Sequence, residues 1–152
     1  MMSLLAKLLR DDRGAAIIEL AMVAPVLAVM IIGMSDMSRA YSTKLQLEQA
    51  SQRSIEKVMN GQADTTVAAA LKTEAANTAG VPESQVVVDY WLECDGARNA
   101  SYDTSCATGQ VQRRYMSVQI QKSFTPMFRM KFGAAKANGS YTLYGKTSVR
   151  IQ

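Results

Sequence analysis

The chain has 152 residues, 48% of them hydrophobic and 20% charged, which leaves room for one domain and little more once a membrane segment is subtracted. It contains no histidine; the usual general base near neutral pH and the commonest metal ligand are therefore missing, which counts against Ser-His and Cys-His hydrolases and most zinc sites. A formal net charge of +4 is too small to imply nucleic-acid binding by itself.

Residues 1–14 read as a short basic leader carrying Lys7, Arg10 and Arg13 and ending at Gly14. The apolar run Ala15 to Met34 follows. About 20 residues at 1.5 Å each cover the ~30 Å hydrocarbon core, so this run predicts a membrane-spanning helix. Pro25 and Gly33 are tolerated in such helices where neighbours satisfy the freed backbone groups. The cations ahead of the span place the N-terminus in the cytoplasm and the remainder across the membrane. A cleaved signal peptide is the alternative, with small residues at Ser38 and Ala40 for a peptidase to read. However, a signal's apolar core is about 7–15 residues long and uncharged, whereas this run is longer and contains Glu19.

The stretch RGAAIIELAMVAPVLAVMIIGMSDMSRAY, with Glu19 five residues past Gly14 and Pro25 six further on, resembles a class III prepilin. More closely, it is similar to the TadE-like pseudopilins (TadE or TadF) of tight-adherence, type IVc, pilus systems. The resemblance covers Arg13 to about Val58. It implies that an inner-membrane prepilin peptidase cuts the Gly14–Ala15 bond. A residue without Cβ lets a protease approach the backbone closely; the plainer reading is that Gly14 only separates leader from helix. Cleavage would leave an α-amino group at Ala15, positive at neutral pH. By the resemblance, Glu19 is then a docking charge that meets this amine on a neighbouring subunit. A central intramembrane charge costs roughly 2–3 kcal/mol, a motive for pairing; the alternative is a Glu19 solvated near the headgroups. Pro25 either shapes a kink for packing or is an ordinary membrane proline.

The resemblance further implies an inner-membrane, single-pass protein with a periplasmic C-terminal domain, incorporated or not in an extracellular pilus. Its partners would be the prepilin peptidase, other pilins and pseudopilins, and the inner-membrane assembly platform, in homo- or hetero-oligomers. No cofactor and no catalytic residue are implied.

Past the membrane the helix is predicted to continue to Gly61, making Ala15 to Asn60 a rod of about 70 Å at 1.5 Å per residue. Leu47, Ala50, Ser54 and Val58 share one stripe, with Ile55 beside them; the stripe packs on a domain rather than on a coiled-coil partner, because the heptads are irregular. A second, short helix is expected from Asp64, as N-cap, to Thr78, stopped by Gly80 and Pro82. Three strands follow. Val86, Val88, Tyr90 and Leu92 alternate in the first; Met116, Val118, Ile120 and Phe124 in the second; Tyr141, Leu143, Val149 and Ile151 in the third. A long connection from Pro126 carries a short helical turn and then a loop. The predicted class is α+β: a long N-terminal helix, a second short helix and a small antiparallel three-stranded sheet, the lollipop that the resemblance also implies. The divisions are leader 1–14, membrane half-helix 15–34, outer half-helix 35–61 and domain 62–152.

Cys94 and Cys106 bracket a polar loop and allow a single intrachain pairing. A structural disulfide suits an oxidising compartment; a metal site would need more ligands, and a redox pair is more often C-x-x-C. GSYTLYGKTS imitates a phosphate-binding loop, but Gly139 and Gly145 are separated by five residues rather than the ~4 of that motif. Charge is uneven. Glu83, Asp89, Glu93, Asp95 and Asp103 cluster with only Arg98 opposing, while from Arg113 onward the chain is basic without an acid. Three readings compete: pairing across the sheet, complementarity between stacked subunits, and binding to DNA or to an anionic cell surface, for which the basic strands lack a base-stacking aromatic pattern. A non-enzymatic pilus protein is the expected function; an unprocessed single-pass scaffold is the alternative.

Overall fold

The computed structural model describes residues 15–59, 67–128 and 135–151. Gly14 and the rest of the leader, the helix stop at Gly61, the N-cap at Asp64 and residues 129–134 of the connection from Pro126 lie outside the described residues. The chain divides into two units, Met1–Ser38 and Arg39–Gln152.

Helix α1 runs unbroken over Ala15–Met59, 45 residues with Pro25 inside. A proline there removes the donor that would reach the Ala21 carbonyl, four residues back. Ser35 and Thr43 turn their hydroxyls onto the Ile31 and Arg39 carbonyls at 2.9 and 2.8 Å, satisfying polar side chains without a partner element. From Arg39 onward the helix becomes one-sided. Leu47, Ala50, Ser51, Ser54 and Ile55 are buried, and Arg53, Glu56 and Lys57 stay exposed. The side chain of Val58, placed on this stripe by its spacing, is outside the described residues.

Helix α2 covers Val67–Ala79. Its alanines give good helix propensity at little side-chain entropy cost, and Leu71, Ala75 and Ala76 form its buried face. It ends where Gly80 takes a φ of 62°. The amides of Gly80 and Val81 reach back to the Asn77 and Ala76 carbonyls at 3.3 and 3.0 Å, the glycine-ended closure that satisfies orphan carbonyls. Lys57 of α1 forms an ion pair with Glu74 of α2. After Pro82 comes a single 3-10 turn, Glu83–Gln85.

The sheet has four strands rather than the three expected. They are β1 (Val86–Cys94), β2 (Ala97–Arg98), β3 (Gln112–Phe124) and β4 (Tyr141–Arg150), all antiparallel, in the order β2-β1-β3-β4. The extra strand arises from Asp95-Gly96. Both residues have positive φ, 51° and 84°, the conformation of a two-residue hairpin turn that suits Asp-Gly. It folds Ala97 and Arg98 back onto Cys94 and Glu93. β3 also begins three residues earlier than the expected Tyr115, because Gln112, Arg113 and Arg114 pair with Cys94, Glu93 and Leu92. Cross-strand partners make these charged and polar positions part of the strand.

One face of the sheet meets the helices. Val86, Leu92, Met116, Val118 and Ile120 are buried at 2% exposure or less, and all but Leu92 share a cluster with Leu47, Ala50 and Ile55 of α1 and Leu71, Ala75 and Ala76 of α2. Val88, Tyr90, Leu143, Val149 and Ile151 pack around it, partly buried. The opposite face, with Val87 and Tyr144 exposed, carries no helix among the described residues.

Gly145 of β4 sits where α1 crosses the sheet. A Cβ built there would press on the Leu47 carbonyl carbon, 2.5 Å from its oxygen and 2.6 Å from the Glu48 nitrogen. Alongside, the hydroxyls of Ser51 and Thr147 share a hydrogen bond of 2.8 Å. Because these neighbours are backbone atoms, the clash cannot be relieved by a side-chain rotation. Gly145→Ala should therefore destabilise the Arg39–Gln152 unit by about 1–3 kcal/mol or more, the cost of overpacking. A thermal melt of the full chain in detergent checks this; an unchanged midpoint would show that the crossing is looser than described.

Tyr90, in the partly buried ring around the core, has a buried hydroxyl with no hydrogen-bond partner among the described residues. Burial, and after it the charge of nearby Tyr102, pushes this phenol above its ordinary value of 10.0. The unfolded chain then loses the proton before the folded one does, so the stabilising contribution is complete below pH 10 and is lost as pH rises through the raised value. Comparing melts at pH 9 and pH 11 should show a steeper fall for wild type than for Tyr90→Phe. Parallel falls would remove Tyr90 from the alkaline transition.

Candidate functional site

The first unit concentrates the residues that demand a partner. From Ile17 to Met34 every side chain is exposed except Ile32, which is partly so. Ile17 is 71% exposed, Met22 74% and Ile31 64%. A helix that is apolar all round belongs in a membrane or in the core of an assembly, since water on every side would be costly. It is long and apolar enough to cross a bilayer and fits a single-pass membrane protein. Glu19 is exposed within this surface. It stands four residues after Ala15, one helical turn along on the same side. Pro25 lies one and two-thirds turns beyond Glu19 at about 3.6 residues per turn, so the two point in different directions from the axis.

The helix also bears on the signal-peptide alternative. Ser38, Arg39, Ala40 and Tyr41 are all within continuous α1. A peptidase reads extended backbone, and this backbone is hydrogen-bonded as helix on both sides of the Ala40–Tyr41 bond.

Cys94 and Cys106 are joined by a disulfide, with Cα atoms 5.6 Å apart. It closes a loop that is also hydrogen-bonded from several directions. Asn99 donates its amide to the Leu92 carbonyl at 2.7 Å. Val111 donates to Asp95 Oδ1 at 2.9 Å, and Cys106 donates its amide to Gln112 Oε1 at 3.3 Å. Arg114 donates to the Thr104 carbonyl at 3.2 Å and lies over the Tyr102 ring at 5.4 Å. Among the described residues no group of three His, Cys, Asp or Glu side chains could hold a metal ion.

The acidic cluster proves to be internally wired. Arg98 donates through Nη2 to both oxygens of Asp89, at 3.0 and 3.1 Å. The same guanidinium lies 5.0 Å from the centroid of Trp91, and Trp91 stacks on Tyr115 at 5.3 Å and 14°. Trp91 donates its indole N–H to Glu93 at 2.8 Å, and Glu93 faces Arg113 across the ladder. Pairing across the sheet thus accounts for Asp89, while Trp91, already stacked and covered by a cation, offers no ready platform for a nucleic-acid base.

Three features were missed by reading spacing alone: the Gly145 crossing, the Ser51–Thr147 contact and the β2 hairpin. Asp95-Gly96 was the available signal for the last. For the first two nothing local distinguishes these residues from ordinary strand and helix positions.

A family model described as TadE-like protein matches residues 14–55. The match begins at Gly14, includes Glu19 and Pro25, and ends at Ile55 on the packed stripe. No curated protein and no solved structure gives a significant match.

The disulfide spans 12 positions in sequence; closing a loop of this size stabilises by roughly 3 kcal/mol in the chain-entropy model. The double variant Cys94→Ser, Cys106→Ser should lower stability by about that amount in chemical denaturation of the full chain. An unchanged midpoint would mean that the loop's hydrogen bonds suffice without the covalent link.

Proposed function

We propose that this chain is a minor pilin or pseudopilin of a tight-adherence pilus, processed after Gly14 and held in the inner membrane by α1 before assembly. The observation that carries the reading is the TadE-like match over residues 14–55 on a helix whose apolar surface is uncovered. TadE-like proteins associate with tight-adherence pilus components as structural members, and the described part of this chain is built accordingly: a bare apolar helix segment and a small packed unit with a disulfide.

In this reading residues 1–14 are the leader, 15–34 the membrane half of α1, 35–61 its outer half and 62–152 the periplasmic domain. The positive leader keeps the N-terminus cytoplasmic. A prepilin peptidase cuts the Gly14–Ala15 bond and frees an amine at Ala15. Glu19 answers such an amine on a neighbouring subunit, so that two charges which are costly in lipid singly become tolerable as a pair. Pro25, by withholding one backbone donor, lets α1 adjust locally against neighbouring helices. The partners are the peptidase, other pilins and the assembly platform of the inner membrane.

Processing and docking are tested separately. N-terminal sequencing of membrane-derived protein should begin at Ala15; a start at Met1 or Met2 would identify an unprocessed single-pass scaffold, and Tyr41 a cleaved signal. Replacing Gly14 with a bulky residue should leave the leader attached. Glu19→Gln should be inserted and cut normally, yet copurify poorly with other pilins and support fewer pili. Normal pili from the glutamine variant would show that Glu19 is merely solvated near the headgroups.

A further inference from the structure

A cavity of about 370 Å³ opens where the end of α2 meets the ends of β3 and β4. That is the lower part of the range of small-ligand sites. One wall is the Gly80–Pro82 turn; the remainder is polar, from Gln85, Gln121, Lys122, Ser123, Lys136 and Thr142. Among the described residues no aspartate or glutamate lines it.

Lys122 is out of pattern in its strand. It follows Met116, Val118 and Ile120 on the alternating face that turns toward the helices, and those three are fully buried. Lys122 itself is partly buried, opposite Leu143. A hydrophobic residue would continue the series at no cost, whereas a partly buried ammonium there gives up part of its hydration, which an anion beside it would restore. Among the described residues no carboxylate forms an ion pair with Lys122 or with Lys136. Two cations facing one space repel each other, and an anion between them removes that penalty. The Ala76 and Asn77 carbonyls at this helix end are taken by the Val81 and Gly80 amides, and the two ammonium groups outweigh what remains of the negative end of the helix dipole.

We propose that this cavity binds a phosphate-bearing anion. Lys122 and Lys136 supply charge and Gln85 an amide to tetrahedral oxygens, while Gln121, Ser123 and Thr142, on the other alternation of β3 and β4, complete the wall. A free phosphate and the headgroup of a phospholipid share this chemistry of recognition. The site does not depend on the pilus reading.

The test uses the full chain in neutral-detergent micelles, with thermal stability as readout, because an anion that binds only the folded state raises the midpoint. In one arm inorganic phosphate is titrated at constant ionic strength; in the other, phosphatidylglycerol is doped into the micelles in place of phosphatidylcholine. Saturable stabilisation in the first arm identifies free phosphate, and in the second alone a lipid headgroup. Lys122→Gln and Lys136→Gln should each weaken the effect at least about tenfold, the scale of a charged hydrogen bond. Lys146→Gln, outside the cavity, should leave it unchanged. Lys136 is exposed, so its variant keeps the test valid even if Lys122→Gln folds poorly. No stabilisation in either arm, or equal losses in all three variants, would overturn the site.

Discussion

The packed unit depends on how closely α1 can approach β4. At the crossing, the backbone of Leu47 and Glu48 occupies the space that any side chain at position 145 would need. Small residues surround this point. Ala50, Ser51 and Ser54 are each at most 2% exposed, and Ser51 and Thr147 convert the near contact of two backbones into a hydrogen bond. Close approach brings Leu47 and Ile55 down onto Val118 and Ile120, where packing density, rather than any single strong contact, supplies the stability. Ser54 keeps its hydroxyl satisfied on the Ala50 carbonyl at 2.8 Å, so the small polar residues of the stripe cost little when buried.

That arrangement divides α1 by physical demand. Its outer half is one-sided, with a buried stripe and a charged back that includes Lys44 and Glu48 at 3.7 Å. Its first part has no such polarity, being apolar in every direction around the axis. A helix surface of the first kind is satisfied by its own domain; one of the second kind is satisfied only by lipid or by other helices. The single acid in it, Glu19, is the residue whose free energy changes most between those two surroundings. For that reason the proposed function turns on it.

The far end of the sheet shows a different economy. Acids that looked like an unopposed patch are held by Arg98, by the Trp91 indole and by the Val111 amide. Docking through a free acidic face therefore has less to offer than the bare sequence suggests. On the cationic side Lys122 stands out because it interrupts a buried apolar series. Polar groups on exposed strands are usually solvated; a lysine on the inward alternation needs a particular reason.

Much of this was legible in the residues themselves. Period-two alternation marks Val86 to Leu92 and Met116 to Ile120, and a spacing of three and four marks Leu47, Ala50 and Ser54, because those periods are set by strand and helix geometry alone. The apolar length of Ala15 to Met34 and the placement of Gly14, Glu19 and Pro25 are likewise linear facts. Other features required the assembled chain. Whether Gly145 is a flexible strand residue or an enforced contact depends on which helix crosses it, nearly a hundred residues away in sequence. Whether Arg113 belongs to a loop or a strand depends on Glu93 lying opposite. Whether Asp89 is free depends on a two-residue strand folding Arg98 over it. Local spacing determines what each segment can become; only non-local approach decides which of its groups are used up inside the fold and which, such as Lys122, are left facing a cavity.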